Sequence, residues 1–200
     1  MSTDQSFTDE LEEWLRSEGP KTLGALGEVF AERAFATTIL LLMFVPALPL
    51  PTGGLTHLFE AITVVVAAQM VLGRRTLWLP ARWTERPLGE LTRERAIPFM
   101  VRVLRRFERI SRPRGVALLA RRTSQRVLGV LLMALAIGAA LAPPFSGLDT
   151  LPALGAVVVA LGIILKDLVV IAIGVAIGAG GIALILTIGT VLVHFVRGLL

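Results

Sequence analysis

Apolar residues along this chain fall into five long runs, and the polar positions between them predict where helices end. Two pairs of runs are each separated only by a short tip rich in Pro and Gly, whereas charged stretches flank the pairs. Long uncharged runs of this kind are typical of helices in a membrane. The runs are Ala34–Leu50, Leu55–Leu72, Val127–Ala142, Leu148–Leu165 and Leu168–Val196.

The two pairs of runs repeat each other 93 residues apart. Pro51-Thr52-Gly53-Gly54-Leu55, followed by a Val-Val-Val-Ala stretch, matches Pro144-Phe145-Ser146-Gly147-Leu148, followed by the same four residues. Matched, interrupted apolar segments in two halves of a membrane protein indicate a site near the bilayer midplane. The tip residues to which we assign the interruptions are Pro49, Pro51, Gly53, Gly54, Pro143, Pro144 and Gly147.

The paired helices are expected to be short for a membrane. Helices of roughly 15–17 residues reach about 22–26 Å, whereas the hydrocarbon core is about 30 Å thick. Neither tip carries a charge, although a water-exposed turn usually does. A tight transmembrane hairpin and a re-entrant hairpin both fit, and we favour the re-entrant form. Whether the two repeats are parallel or inverted stays open.

The last run is too long for one upright helix. Its 29 residues would extend about 44 Å, so the segment must tilt strongly or break, and Gly178-Ala179-Gly180-Gly181 is the expected break. The spacing Gly174-x-x-x-Gly178 predicts close helix packing and raises the option of a homodimer. The fold prediction is therefore an all-α membrane protein with two repeated helix-hairpin units, a long C-terminal transmembrane segment and interfacial amphipathic helices.

Amphipathic helices are predicted outside the apolar runs. Residues 7–18 have one apolar and one acidic face, and a second helix is expected at about Leu23–Phe35. Residues 97–110 form a basic amphipathic helix that would lie on the membrane, with the acidic helix packing against this basic region. We expect anionic lipid head groups to contact Arg102, Arg105, Arg106 and Arg109.

The distribution of charge divides the chain and predicts its orientation. Residues 1–33 contain eight acidic and three basic residues, whereas residues 74–126 contain fifteen Arg and four Glu. The positive-inside rule places the Arg-rich segment, and with it the N-terminus, in the cytoplasm. The acidic start does not resemble a secretory signal. The predicted divisions are 1–33, the first hairpin 34–73, the Arg-rich segment 74–126, the second hairpin 127–166, and the C-terminal segment 167–200.

Glu60 is the leading candidate for chemistry. On a helix it shares a face with Thr56 and Thr63, and His57 lies at the margin of that face. A carboxylate in the hydrocarbon region costs about 2.5–3.5 kcal/mol on insertion scales, so it usually faces a polar interior and marks a pathway. Glu60 is therefore a plausible proton or cation site, and the alternative is a position at a hydrated rim, where it would cap a helix or pair with an Arg.

Further polar residues could contribute to the same site. Asp149 and Thr150 follow the second tip as Thr56 and His57 follow the first, so each half would send one acid toward a common centre. The alternative for Asp149 is a helix N-cap, which it could also combine with that role. The remaining candidates are Glu32 and Arg33, as a buried or a surface pair, and Gln69, as a hydrogen-bonding group between helices.

Other functional classes find little support in the sequence. There is no nucleophile elbow, no P-loop and no group of residues with metal-ligand spacing, so we predict no enzymatic activity, cofactor or metal site. One His beside one Glu provides too few ligands for a transition metal. The chain has no Cys and therefore no disulfide framework. The Arg-rich segment lies between membrane runs, where it serves as a topology signal, and we predict no nucleic-acid partner.

Several short motifs together resemble the ExoD family, which is named for exopolysaccharide synthesis. The resemblance implies a bacterial inner-membrane protein linked to exopolysaccharide production and to alkaline tolerance. One departure is Ala31, where the family usually has Gly. The motifs are Ala31-Glu32-Arg33, Pro49-Leu50-Pro51, Gln69-x-x-x-Gly73-Arg74 before Trp78-Leu79-Pro80, Glu108-Arg109 with Arg112-Pro113-Arg114, and Pro143-Pro144.

The functional prediction combines the repeats with this resemblance. We expect a transporter that exchanges protons for a small cation at a midplane site between the broken helices, with Glu60 as the titratable group. The alternative is an accessory or scaffold protein of an exopolysaccharide assembly complex, in which the charged surfaces dock partners. A third reading is a lipid-handling protein whose Arg-rich segment binds lipid phosphates.

Overall fold

The computed structural model describes residues 7–18, 22, 33–48, 55–74, 76–78, 97–111, 114–119, 121–143 and 146–199. Within these ranges the secondary structure is helical and no β-strand occurs. The helices are α1 (Phe7–Arg16), α2 (Ala34–Phe44), α3 (Leu55–Val71), α4 (Ile97–Ile110), α5 (Val116–Leu119), α6 (Arg122–Ala140), α7 (Thr150–Leu165) and α8 (Leu168–Leu199).

The core is built from the apolar helices predicted by the five runs. The most extensive packing joins α7 with α8 and α3 with α6, and α2 packs on both α7 and α3. The second helix of each sequence pair thus lies against the first helix of the other pair. Ile39, Met43, Val66 and Leu132 are among the fully buried side chains of the resulting core.

The boundaries of two helices differ from the apolar runs. α2 ends at Phe44, six residues before the end of its run, because Pro46 has no N–H to donate to the helix and a turn follows at Val45–Ala47. α6 begins at Arg122, five residues before its run, so the hydrophobic pattern missed its polar first turn. The helix expected at about Leu23–Phe35 lies mostly outside the described residues.

The expected break in the C-terminal segment is wrong: α8 continues without interruption from Leu168 to Leu199. Its glycines instead permit close packing. A Cβ at Gly174 would lie 2.6 Å from the backbone nitrogen of Val159, and a Cβ at Gly155 would overlap Gly178. The GxxxG face is therefore occupied by α7 of the same chain. A homodimer stays a prediction, but this motif no longer provides its surface.

Two of the described helices, Arg122–Ala140 and Leu168–Val191, are long and apolar enough to cross a membrane by length and composition. Only 33% and 28% of their apolar windows are buried, whereas a core helix of a soluble protein would be mostly buried. The helices α2, α3 and α7 are apolar but shorter. Unequal helix lengths agree with the expected short segments, although they do not test whether the hairpins are re-entrant.

The acidic N-terminal helix packs against the basic helix, as the sequence predicted. α1 contacts α4, and the Arg105 guanidinium donates a hydrogen bond of 2.5 Å to Glu12 Oε1. Glu12 also lies 3.7 Å from Arg16 on its own helix. Arg102, Arg106 and Arg109 of α4 are exposed, so this basic face lies at the surface.

Candidate ion-binding site at Glu60

Glu60 is completely buried in the second turn of α3, with 0% of its surface exposed. Thr56 and Thr63, one turn away on either side, are buried with it. The Thr63 hydroxyl donates to the carbonyl of Phe59 at 2.8 Å, so it is satisfied within the helix. The polar face predicted from the i, i+4, i+7 spacing therefore points into the protein.

His57 is the hydrogen-bond partner of Glu60. Its Nδ1 lies 2.7 Å from Glu60 Oε2, a short distance that is typical of a charge-assisted or shared-proton contact. The side chain of His57 is 34% exposed, whereas that of Glu60 is fully enclosed. The imidazole thus connects the buried carboxylate with the outside of the helix bundle. The expected alternative, an Arg partner, is not what occupies Oε2.

The second carboxylate oxygen of Glu60 has no hydrogen-bond partner among the described residues. Two more buried oxygens share this property, the hydroxyls of Thr37 and Thr38 on α2, and α2 packs against α3. Leaving a buried polar group unsatisfied costs about 1–3 kcal/mol, and more when it is charged. A bound proton, cation or ordered water would remove that cost.

Asp149 provides a second acid near Glu60. It lies close enough for the two carboxylates to interact electrostatically, although they come from opposite halves of the sequence. Asp149 occupies the N-cap position of α7, yet its side chain makes no capping hydrogen bond. Asp149 therefore has the N-cap position that the alternative predicted, but its side chain does not cap the helix. Two like charges in one enclosed region favour binding of a positive charge between them.

The turn after α6 brings Asp149 to this position. Gly147 has φ of +68°, a left-handed conformation that glycine adopts without strain, and Ser146 closes the turn by donating to the Pro143 carbonyl at 2.6 Å. Thr150 follows as the first residue of α7 and is half-buried. The other tip residues, Pro49, Pro51, Gly53, Gly54 and Pro144, lie outside the described residues.

Two predicted site residues have other places in the fold. Gln69 lies nine residues beyond Glu60 and clamps the backbone of Trp78, donating to its carbonyl and accepting from its N–H, both at 2.8 Å. Arg33 lines a cavity with Met70 and Gly73 at the far end of α3. Neither contributes to the Glu60 site, and Glu32 lies outside the described residues.

Sequence reasoning missed Thr37 and Thr38. Both lie inside the first apolar run, Ala34–Leu50, from which no candidate residue was predicted apart from the Pro at its tip. Their signal is that two adjacent hydroxyls fall within an otherwise uninterrupted apolar stretch, a place where only a partnered polar group is expected. Among the described residues, no three acidic or imidazole side chains come together as a metal site would require.

The described residues form a helical bundle with two helices that are long and apolar enough to cross a membrane. The bundle encloses Glu60 beside the partly exposed imidazole of His57. These features are typical of a membrane protein with a polar centre. The family model described as "Exopolysaccharide synthesis, ExoD" matches residues 7–187, and the chain belongs to this family. The family description links it to exopolysaccharide synthesis, and together with the two apolar helices it indicates a membrane localisation.

One relative is the "Uncharacterized protein slr1875" of Synechocystis sp. (strain ATCC 27184 / PCC 6803 / Kazusa). It is 27% identical over 193 residues, which cover 95% of this chain and 87% of the relative. No solved structure matches the chain. The family assignment therefore supplies a cellular process, and the chemistry has to be argued from the residues.

Proposed function

We propose that this protein transports protons in exchange for a small cation across the bacterial cytoplasmic membrane, with Glu60 as the shared binding group. The observation that carries the proposal is the free oxygen of Glu60, which is buried, hydrogen-bonded on one side only and close to a second carboxylate. Buried acids in membrane segments usually mark ion or proton pathways.

Competition at one carboxylate provides the coupling. Protonated Glu60 is neutral and needs no counter-ion, whereas deprotonated Glu60 together with Asp149 forms a negative centre that favours a cation. His57, being partly exposed, would pass the proton between Glu60 and the aqueous side.

The arrangement of the helices supports the same function. Each half of the chain provides one acid, and the two halves pack together through α3 with α6 and α7 with α2. Interlocked repeats around a central site are the common architecture of secondary transporters. Under this proposal the N-terminus and the Arg-rich segment are cytoplasmic, and cation–proton exchange would account for the alkaline tolerance that the resemblance implies.

The test is proton flux in liposomes that contain the purified protein and an internal pH dye, under imposed Na⁺, K⁺ or Ca²⁺ gradients. We expect one cation to drive proton movement, and Glu60→Gln to abolish it. Glu13→Gln is the matched control, because Glu13 is exposed on α1. Equal flux in the Glu60 variant and the wild type would remove this residue from the mechanism.

A second candidate function is that of an accessory protein in an exopolysaccharide assembly complex. The family description and the exposed arginines of α4 favour it. Exopolysaccharide output from cells that carry the variants separates the two candidates. A defect in Arg106→Gln/Arg109→Gln with normal output from Glu60→Gln supports docking, and the reverse pattern supports transport.

A further inference from the structure

A cavity of about 490 Å³ lies at the end of the bundle opposite the first turn of α3. It is formed where α2 and α6 begin and where α3 and α7 end. Met70, which lines it, is ten residues from Glu60, or about 15 Å along the helix axis, so the cavity is separate from the Glu60 site. Its volume suits a ligand the size of a head group.

Four cationic side chains line this cavity, and no acidic residue is among the described residues that line it. The cations are Arg33, Arg74, Arg122 and Lys166. Asp167, which follows Lys166 in the sequence, has other partners: its carboxylate accepts from the Ser111 hydroxyl at 3.0 Å and from the Val169 N–H at 2.9 Å. A cavity with this lining has a strongly positive potential and favours an anion.

Two helices begin at the cavity and two end there. α2 begins at Ala34 and α6 at Arg122, and neither helix has a side-chain hydrogen bond from its N-cap residue. The dipoles of these two helices are positive at the cavity. Arg74 and Lys166 follow the C-terminal ends of α3 and α7, where they offset the opposite dipoles.

Apolar side chains also line the cavity. They include Phe35, Leu119, Leu128 and Ile163. A lining that combines cationic and apolar side chains fits an amphiphile better than a simple inorganic ion. Arg74 follows the apolar helix α3 and Arg122 begins α6, and both arginines line this cavity. The cavity therefore lies where apolar helices meet the Arg-rich segment, the level at which we expect lipid head groups.

We propose that this cavity is a phosphate-binding site, in which the cations hold a phosphate monoester or diphosphate and the apolar wall accommodates the chain of a lipid that carries it. Arginine binds such groups through paired N–H donors, and Arg74 and Arg122 both line the cavity. The site differs from the exposed arginines of α4, which can attract head groups only as a diffuse basic surface.

The test uses delipidated protein in detergent. Native mass spectrometry compares binding of dioleoyl phosphatidic acid with that of dioleoyl phosphatidylcholine, and calorimetry measures inorganic pyrophosphate. We expect preferential binding of phosphatidic acid, weakened at least about tenfold in Arg74→Gln/Arg122→Gln. Arg16→Gln/Arg114→Gln is the matched control, because both arginines are exposed and lie outside the cavity; it removes the same charge and should bind as the wild type does.

The outcomes separate the sources of the phosphate. Selective loss of phosphatidic acid binding in the cavity variant supports a lipid ligand, and selective loss of pyrophosphate binding supports a free phosphate compound. Lys166→Asn removes a cavity charge at a residue with φ of +55°, a conformation that Asn tolerates, and should weaken binding even if the arginine pair variant fails to fold. Equal effects of the cavity and control variants, or no effect of either, would overturn the proposal.

Discussion

The imidazole Nδ1 of His57 lies 2.7 Å from Oε2 of Glu60, three residues further along the same helix, and joins a partly exposed ring to a fully enclosed carboxylate. This contact satisfies one carboxylate oxygen and leaves the other free. The ring of His57 therefore reaches the surroundings of the bundle, and the second oxygen of Glu60 lies in its interior.

Replacing His57 should slow proton delivery without removing the binding group. We expect His57→Gln to lower proton flux by about a hundredfold, the lower range for loss of a proton-transferring side chain. His194→Gln is the control, because His194 is exposed on α8 and its ring lies 2.9 Å from the Thr190 carbonyl of the same helix. Unchanged flux in His57→Gln would exclude the imidazole as the proton route.

Asp149→Asn should change ion binding more than stability. The side chain makes no capping hydrogen bond, so its replacement should alter the free energy of unfolding by less than about 0.5 kcal/mol. Loss of its charge beside Glu60 should weaken competition of the cation with protons, which is measured as a higher cation concentration for half-maximal flux. A loss of stability typical of a removed cap, about 1 kcal/mol, would instead assign Asp149 to the helix end.

The α7–α8 contact should not tolerate a side chain. A Cβ at Gly174 would fall 2.6 Å from the Val159 nitrogen, which belongs to rigid helix backbone, so Gly174→Val should destabilise the protein by at least about 2–3 kcal/mol. Gly180→Ala on the same helix meets no atom within 4 Å and should be neutral or stabilising by up to about 1 kcal/mol. Thermal unfolding in detergent compares the two variants.

Gln69 should prove structural. Gln69→Leu removes both hydrogen bonds to the Trp78 backbone and should cost about 1–3 kcal/mol, with faster proteolysis near Trp78. Gln69→Glu keeps the acceptor for the Trp78 N–H and should lose less. Cation-driven flux per folded molecule should remain near the wild-type value in both variants, whereas a specific loss of flux would return Gln69 to the ion pathway.

Much of the architecture follows from sequence because it depends on local rules. Uninterrupted apolar runs predicted the core helices, and the i, i+4, i+7 spacing placed Glu60 and Thr56 on a buried face. The acidic and basic amphipathic helices were predicted to meet, and Glu12 contacts Arg105. These features need only helical periodicity and opposite charge.

The failures concern which surfaces meet. The glycines of α8 were read as a break or a dimer surface, because sequence does not show that α7 presents Gly155 to Gly178. Arg33 and Gln69 were predicted as candidates for the ion site, yet Gln69 lies nine residues beyond Glu60, or about 14 Å along α3, and Arg33 lines the cavity at the far end of that helix. The grouping of Arg33 with Arg122 and Lys166 depends on tertiary contacts between helices far apart in the chain.

The unequal lengths of neighbouring helices have a consequence for the lipid around them. α2 has 11 residues, or about 16 Å, and ten of them are buried, so the surrounding helices separate this short helix from lipid. α8 has 32 residues, or about 48 Å, and exposes apolar side chains along its length, among them Val169, Ile173, Leu186 and Val191. A hydrocarbon core of about 30 Å matches this exposed surface only if α8 tilts or the bilayer thickens beside it, so the protein's behaviour should depend on acyl-chain length.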